Sequence, residues 1–115
     1  MDKNIFKVKG TYVNGQWFNS KNTYEVFNPS NGEKLSDVPL SDKKELELAV
    51  ESAKKAQAIW SKTSLIERVK CLEELSKKIL EKEEEFALID SYDSGNALTG
   101  MRKDVKETVN NIRYF

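Results

Sequence analysis

The chain has 115 residues, enough for one domain and too few for two. Its apolar fraction is 38%, below the ~45–50% usual in globular domains, so the core is thin for the length. Basic and acidic residues number 19 each, and this balance excludes an electrostatic case for nucleic acid or an anionic membrane surface.

The first third reads as strands, from about residue 5 to residue 38. "FKVKGTYVNGQWF" sets Asn14-Gly15 between β-prone residues, and Asn-Gly suits the positive φ angles of a type I′ hairpin turn. "TYEVFNPSNGEKLSDVPL" repeats the pattern. Thr23 to Phe27 is one strand, Asn28 to Gly32 the turn, and Glu33 to Val38 the return.

The apolar period then changes from two to about 3.6, predicting four helices over residues 42–115. In "SDKKELELAVESAKKAQAIW", Leu46, Ala49, Val50, Ala53, Ala56 and Trp60 share a face. Ser41 or Asp42 starts this helix, and Asp42 with Glu45 fits a capping box. In "SLIERVKCLEELSKKIL", Ser64 and Glu67 form a second box, and Leu65, Val69, Leu72, Leu75 and Ile79 make the stripe. "EKEEEFALIDSYDSG" is a third, shorter helix with an acidic start suited to the helix dipole and Gly95 to end it. The fourth runs from about Leu98, with Met101, Val105, Val109 and Ile112 continuing its apolar line. The mixed charges of "EELSKKILEKEEEF" read as a solvated helix face.

Histidine is absent and cysteine occurs once, which removes a Ser-His-Asp triad, a Cys-His pair, thiolate zinc motifs and a CxxC pair from this chain. Cys71 sits in an apolar-periodic helix without a histidine to activate it, so it reads as a packing residue rather than a nucleophile. "GTYVNGQW" and "GNALTGMR" both carry Gly-x4-Gly, but neither continues with Lys and Ser/Thr as a phosphate loop requires. The start, "MDKNIFKVKG", lacks the apolar stretch of a secretory leader, and no apolar run approaches the roughly 20 residues of a membrane span. A cytoplasmic protein is expected.

The order of these signals resembles the aldehyde dehydrogenase family. The features are "YVNGQWF", "YEVFNPSNGEKLSDVPL", an Ala-Val…Ala helix ending in Trp60, Glu-Arg…Leu, Asp-x-Gly at Asp93, and Arg-Tyr-Phe within "NNIRYF". The resemblance covers Tyr12 to Phe115 and implies an α/β fold of two β-hairpins followed by about four α-helices, incomplete without a downstream Rossmann-like sheet. Residues 1–115 would be the N-terminal part of the cofactor-binding domain. The catalytic and oligomerisation domains would be absent, and with them the catalytic cysteine, the general-base glutamate, the oxyanion-hole asparagine and the glycine-rich cofactor turn.

The complete enzyme would oxidise an aldehyde with NAD or NADP, through thiolate attack, hydride transfer and hydrolysis of a thioester. It would be a homo-oligomer. The chain alone would bind no cofactor and be inactive. The resemblance also implies a monovalent-cation site at the Val26 and Phe27 carbonyls and Asp93, a hard-ligand set. It places Glu107 near the aldehyde tunnel, where a carboxylate favours a cationic aldehyde. Many members carry Gly-Lys-Pro where this chain has Gly95-Asn96-Ala97. The alternatives are a free-standing helical module that binds a full-length subunit or another protein, and a structural domain without retained function. As a part of an enzyme, the chain is expected to expose an apolar patch of Val105, Val109, Ile112 and Phe115.

Overall fold

Two residues with positive φ, Asn14 at 49° and Gly15 at 80°, close the first hairpin. They join β1 (Thr11–Val13) to β2 (Gln16–Phe18) with Thr11 opposite Phe18, Tyr12 opposite Trp17 and Val13 opposite Gln16. This mirror-image turn matches the twist of the paired strands. The computed structural model describes residues 3–115, so the first two residues of the expected leader-free start lie outside it. The strands begin later than the sequence suggests. Lys3–Phe6 is a 3-10 turn, and Gly10, at φ 131°, interrupts the extended chain just before β1.

The second hairpin pairs β3 (Thr23–Phe27) with β4 (Lys34–Pro39) in its own two-stranded sheet. Its turn is built by asparagines. The Ser30 N–H donates to Asn28 Oδ1 at 2.8 Å, and the Glu33 N–H donates to Asn31 Oδ1 at 2.9 Å. The Asn28 N–H donates to the Glu33 carbonyl at 2.8 Å, so the return strand starts at Lys34 rather than Glu33. Lys34 then donates to Glu25 at 2.6 Å and reaches Asp37 at 2.8 Å.

Four helices follow: α1 (Lys43–Trp60), α2 (Leu65–Glu81), α3 (Glu83–Ser94) and α4 (Leu98–Tyr114). Both expected capping boxes form. The Glu45 N–H donates to Asp42 Oδ1 at 3.1 Å and the Asp42 N–H to Glu45 Oε2 at 3.0 Å. The Glu67 N–H donates to Ser64 Oγ at 3.3 Å, answered by the Ser64 N–H on Glu67 Oε2 at 3.2 Å. Gly95 ends α3 in the left-handed region at φ 77°, where glycine carries no steric penalty.

The length suggests one body, yet the chain divides into two compact units. The first comprises Lys3–Val26 and Lys34–Thr63, the second Phe27–Glu33 and Ser64–Phe115. In the first, Phe6 and Val13 are buried, α1 runs beside β1, and Thr11 Oγ1 shares a 2.6 Å hydrogen bond with Ser41 Oγ. No residue of α1 is buried, so its alanine-rich face supplies no closed core.

In the second unit α4 packs against both α2 and α3, and the residues buried on these helices are Ser76, Ala87, Val105 and Val109, with Asn28 buried in the hairpin turn. The expected exposed patch is therefore corrected. Val105 and Val109 are buried because α2 and α3 cover the middle of α4. Phe115 remains 94% exposed. The α2 stripe is corrected in the opposite sense: Leu65, Val69, Leu72 and Leu75 are exposed and only Ser76 is buried. A groove of about 410 Å³ stays open there, lined by Val69, Leu72 and Glu73 on α2 and Ile112, Arg113 and Phe115 from the far end of α4. Among the described residues no helix is long and apolar enough to cross a membrane.

Two ion pairs tie the first turn of α3 to α4. Arg102 grips Glu84 through two hydrogen bonds of 2.8 and 2.6 Å, and Lys106 reaches Glu83 at 3.3 Å. The Arg102 hydrogen bond holds the Glu84 carboxyl below its ordinary 4.5. Its contribution is present above that value and disappears as pH falls through the depressed one. Glu84→Gln should therefore lower the melting temperature slightly at neutral pH and flatten its fall on acidification. Identical acid profiles for the two proteins would contradict this. Gly95→Ala should cost more than about 1 kcal/mol, because alanine is strained at positive φ and its Cβ would sit 2.9 Å from Pro29 Cγ. Unchanged chemical denaturation of this variant would contradict the account.

Candidate functional site

The strongest meeting of elements around the expected site residues lies in the second unit. Phe27 is the last residue of β3 and leads into the Asn28–Gly32 turn. Gly95, two residues beyond Asp93, approaches Pro29 of that turn so closely that a Cβ would clash. The C-terminal end of α3 thus lies against the loop that Phe27 enters. Helix ends concentrate unpaired carbonyl oxygens, and such an edge attracts cations. Around it, Ser91 Oγ donates to the Asn96 carbonyl at 2.7 Å and Ser94 Oγ to the Asp90 carbonyl at 2.6 Å. The Asp93 side chain is exposed and takes part in no hydrogen bond or ion pair among the described residues. Val26 is half-buried in β3 and belongs to the first unit. Among the described residues no cluster of three or more histidine, cysteine, aspartate or glutamate side chains is placed to hold a metal ion. The expected cation set is of another kind, two main-chain carbonyls and one carboxylate.

Glu107 lies on α4 two residues from each of Val105 and Val109, which turns it to the opposite side of the helix. It is exposed and without an ion pair among the described residues. Its neighbour Lys106 is engaged by Glu83. Cys71 is exposed on α2, beside Lys70, Glu74, Leu75 and Lys78. It is a surface thiol and not the packing residue that the helical pattern suggests.

Phosphate binding needs a glycine-rich turn between a strand and a helix N-terminus. Gly10 and Gly15 instead flank β1, and Gly95 and Gly100 lie between α3 and the first turn of α4, with no strand before them. Among the described residues no glycine-rich turn joins a strand to a helix N-terminus. One residue escaped the sequence reading. Arg68 has an Nε shielded from solvent with no hydrogen-bond partner. Its signal was an arginine set inside a line of leucines.

The aldehyde dehydrogenase family model matches residues 17–115. Malonate-semialdehyde dehydrogenase 1 of Shouchella clausii is 37% identical over 112 residues, covering 96% of this chain and 23% of that protein. Malonate-semialdehyde dehydrogenase of Bacillus pumilus is 29% identical over 99% of this chain and 24% of its own length. Among solved structures, betaine aldehyde dehydrogenase from Staphylococcus aureus in complex with NAD+ superposes with a TM-score of 0.88 at 29% identity, over 93% of this chain and 22% of that one. The chain thus spans about a quarter of the length of the curated relatives it matches. The hairpin–hairpin–four-helix order is a mixed α/β segment shared with those enzymes, and the family match takes in α1 to α4, β3, β4 and the last two residues of β2. The chain belongs to the aldehyde dehydrogenase family.

Proposed function

We propose that the chain is the N-terminal part of the cofactor-binding domain of an NAD(P)+-dependent aldehyde dehydrogenase, and that residues 1–115 carry none of its catalytic groups. The observation that carries this reading is the disparity of coverage: nearly all of this chain aligns with about a quarter of each relative. The sequence content agrees, since there is no histidine to activate the lone cysteine, which stands on an exposed helix face. The role of the segment is scaffolding, with the complete subunit a cytoplasmic homo-oligomer that uses NAD or NADP. The solved relative bound to NAD+ supports that cofactor class.

Two finer assignments belong to the same reading. The carbonyls of Val26 and Phe27 with the Asp93 carboxylate hold a monovalent cation, supported by the approach of the Pro29 turn to the end of α3. Glu107 faces the substrate approach and favours an aldehyde bearing an ammonium group. Its exposed carboxylate, without an ion pair among the described residues, supports this. A second reading, a free-standing module that binds a full-length subunit or another protein, is favoured by the exposed leucines of α2.

The purified 115-residue chain, supplied with NAD+ or NADP+ and either betaine aldehyde or malonate semialdehyde, should form no reduced nicotinamide above background. Steady turnover that disappears in Cys71→Ser would overturn the scaffold role.

A further inference from the structure

Asparagine followed by glycine is a chemically fragile pair. Glycine has no side chain to obstruct its own main-chain nitrogen, and that nitrogen can close a five-membered ring on the asparagine side-chain carbonyl. The chain carries the pair twice, at Asn14-Gly15 and Asn31-Gly32, and all four residues are exposed. Space does not separate the two. A Cβ built on Gly15 would come no nearer than 4.0 Å to Tyr12 Oη, and one on Gly32 would meet nothing within 4 Å.

Hydrogen bonding does separate them. The Gly32 N–H donates to the Asn28 carbonyl at 2.8 Å, and Asn31 Oδ1 accepts from the Glu33 N–H at 2.9 Å. The attacking nitrogen and the side chain it would attack are therefore each held. The turn around them is held as well. Asn28 is buried, its N–H donates to the Glu33 carbonyl at 2.8 Å, and its Oδ1 accepts from the Ser30 N–H at 2.8 Å. By contrast, the Gly15 N–H and the Asn14 side chain form no hydrogen bond among the described residues. Asn14 stands at φ 49°, a region that L-residues visit sparingly, so rotation of its peptide toward attack leaves no favoured well behind. The flanking strands β1 and β2 have three residues each and form a two-stranded sheet of their own, a short hairpin whose tip opens at small cost.

We propose that Asn14 is a site of spontaneous covalent modification, deamidation through a succinimide, and that the same dipeptide at Asn31 is protected by its turn. Hydroxide takes the Gly15 amide proton, and the nitrogen bonds to Asn14 Cγ. The Cγ–Nδ2 bond breaks, and Nδ2 leaves as ammonia with a proton from water. A second water then opens the imide. Opening at the side-chain nitrogen bond yields aspartate, and opening at the original main-chain bond yields isoaspartate, with the chain running through Cβ and Cγ. Aspartate keeps the turn, since it also tolerates positive φ. Isoaspartate lengthens the main chain inside a two-residue turn. The pairing of Tyr12 with Trp17, whose rings lie 4.9 Å apart, then loses its register. Either product adds one negative charge to a chain with 19 basic and 19 acidic residues.

The test is to age the full 115-residue chain at mildly alkaline pH, once folded and once in urea. Anion exchange separates the acidic species, and peptide mass mapping locates the amide lost. In the folded chain Asn14 should convert about tenfold faster than Asn31 or more, the scale of the two hydrogen bonds that Asn31-Gly32 must give up. In urea the two rates should converge, because the reacting residues are the same. Asn14→Gly keeps a residue suited to positive φ and should remove the early acidic species. An isoaspartate methyltransferase should label the aged, folded chain in the peptide containing Asn14. Equal rates in the folded chain, faster loss at Asn31, or no conversion at either site overturns the inference. So does an early acidic species that survives Asn14→Gly. A difference that persists undiminished in urea overturns the protective role of the Asn28–Glu33 turn.

Discussion

The enclosure of three small or compact side chains, one on each of α2, α3 and α4, is the constraint on which the second unit depends. Ser76 and Ala87 are wholly buried and Val109 nearly so. Small residues at such positions let helix axes approach closely, and the buried valines of α4 then fill the space between its two neighbours. The ion pairs that cross from α3 to α4 are exposed and add little by comparison. They set which turn of α3 faces which turn of α4. The cost of the close approach is visible at Ser76, whose hydroxyl is buried without a partner.

That small core has a consequence for the rest of the surface. The enclosed residues sit toward the middle of α4, whereas Ile112, Arg113 and Phe115 border an open groove on α2. The leucine line of α2 therefore stays outside the core. In the first unit, α1 likewise buries none of its residues. Large apolar side chains left outside the core in such number mark surfaces that partners cover. This agrees with a chain whose relatives are about four times its length.

What was legible in the sequence was the local chemistry. Asn14-Gly15, the Asp42–Glu45 and Ser64–Glu67 boxes and Gly95 each act within a few residues, so their outcomes do not wait on tertiary structure. The choice of which apolar stripe is buried is a tertiary matter. Periodicity marks Val105 and Leu72 alike, and only the placement of α2 and α3 around α4 buries the first and exposes the second. Asp93 and Glu107 came from family resemblance and not from spacing, because a carbonyl-based ligand set and a tunnel wall have no sequence period. Arg68 was hidden for a simpler reason: in a chain rich in charge, one unpaired arginine does not stand out until its neighbours are known.

The most direct test of the account is the intact mass of the native protein, captured with an antibody against this segment. The account predicts a species several times heavier than the 13.2 kDa of this sequence, carrying aldehyde-oxidising activity. A native species at 13.2 kDa would contradict it, and would leave the chain as a binding module or a structural remnant.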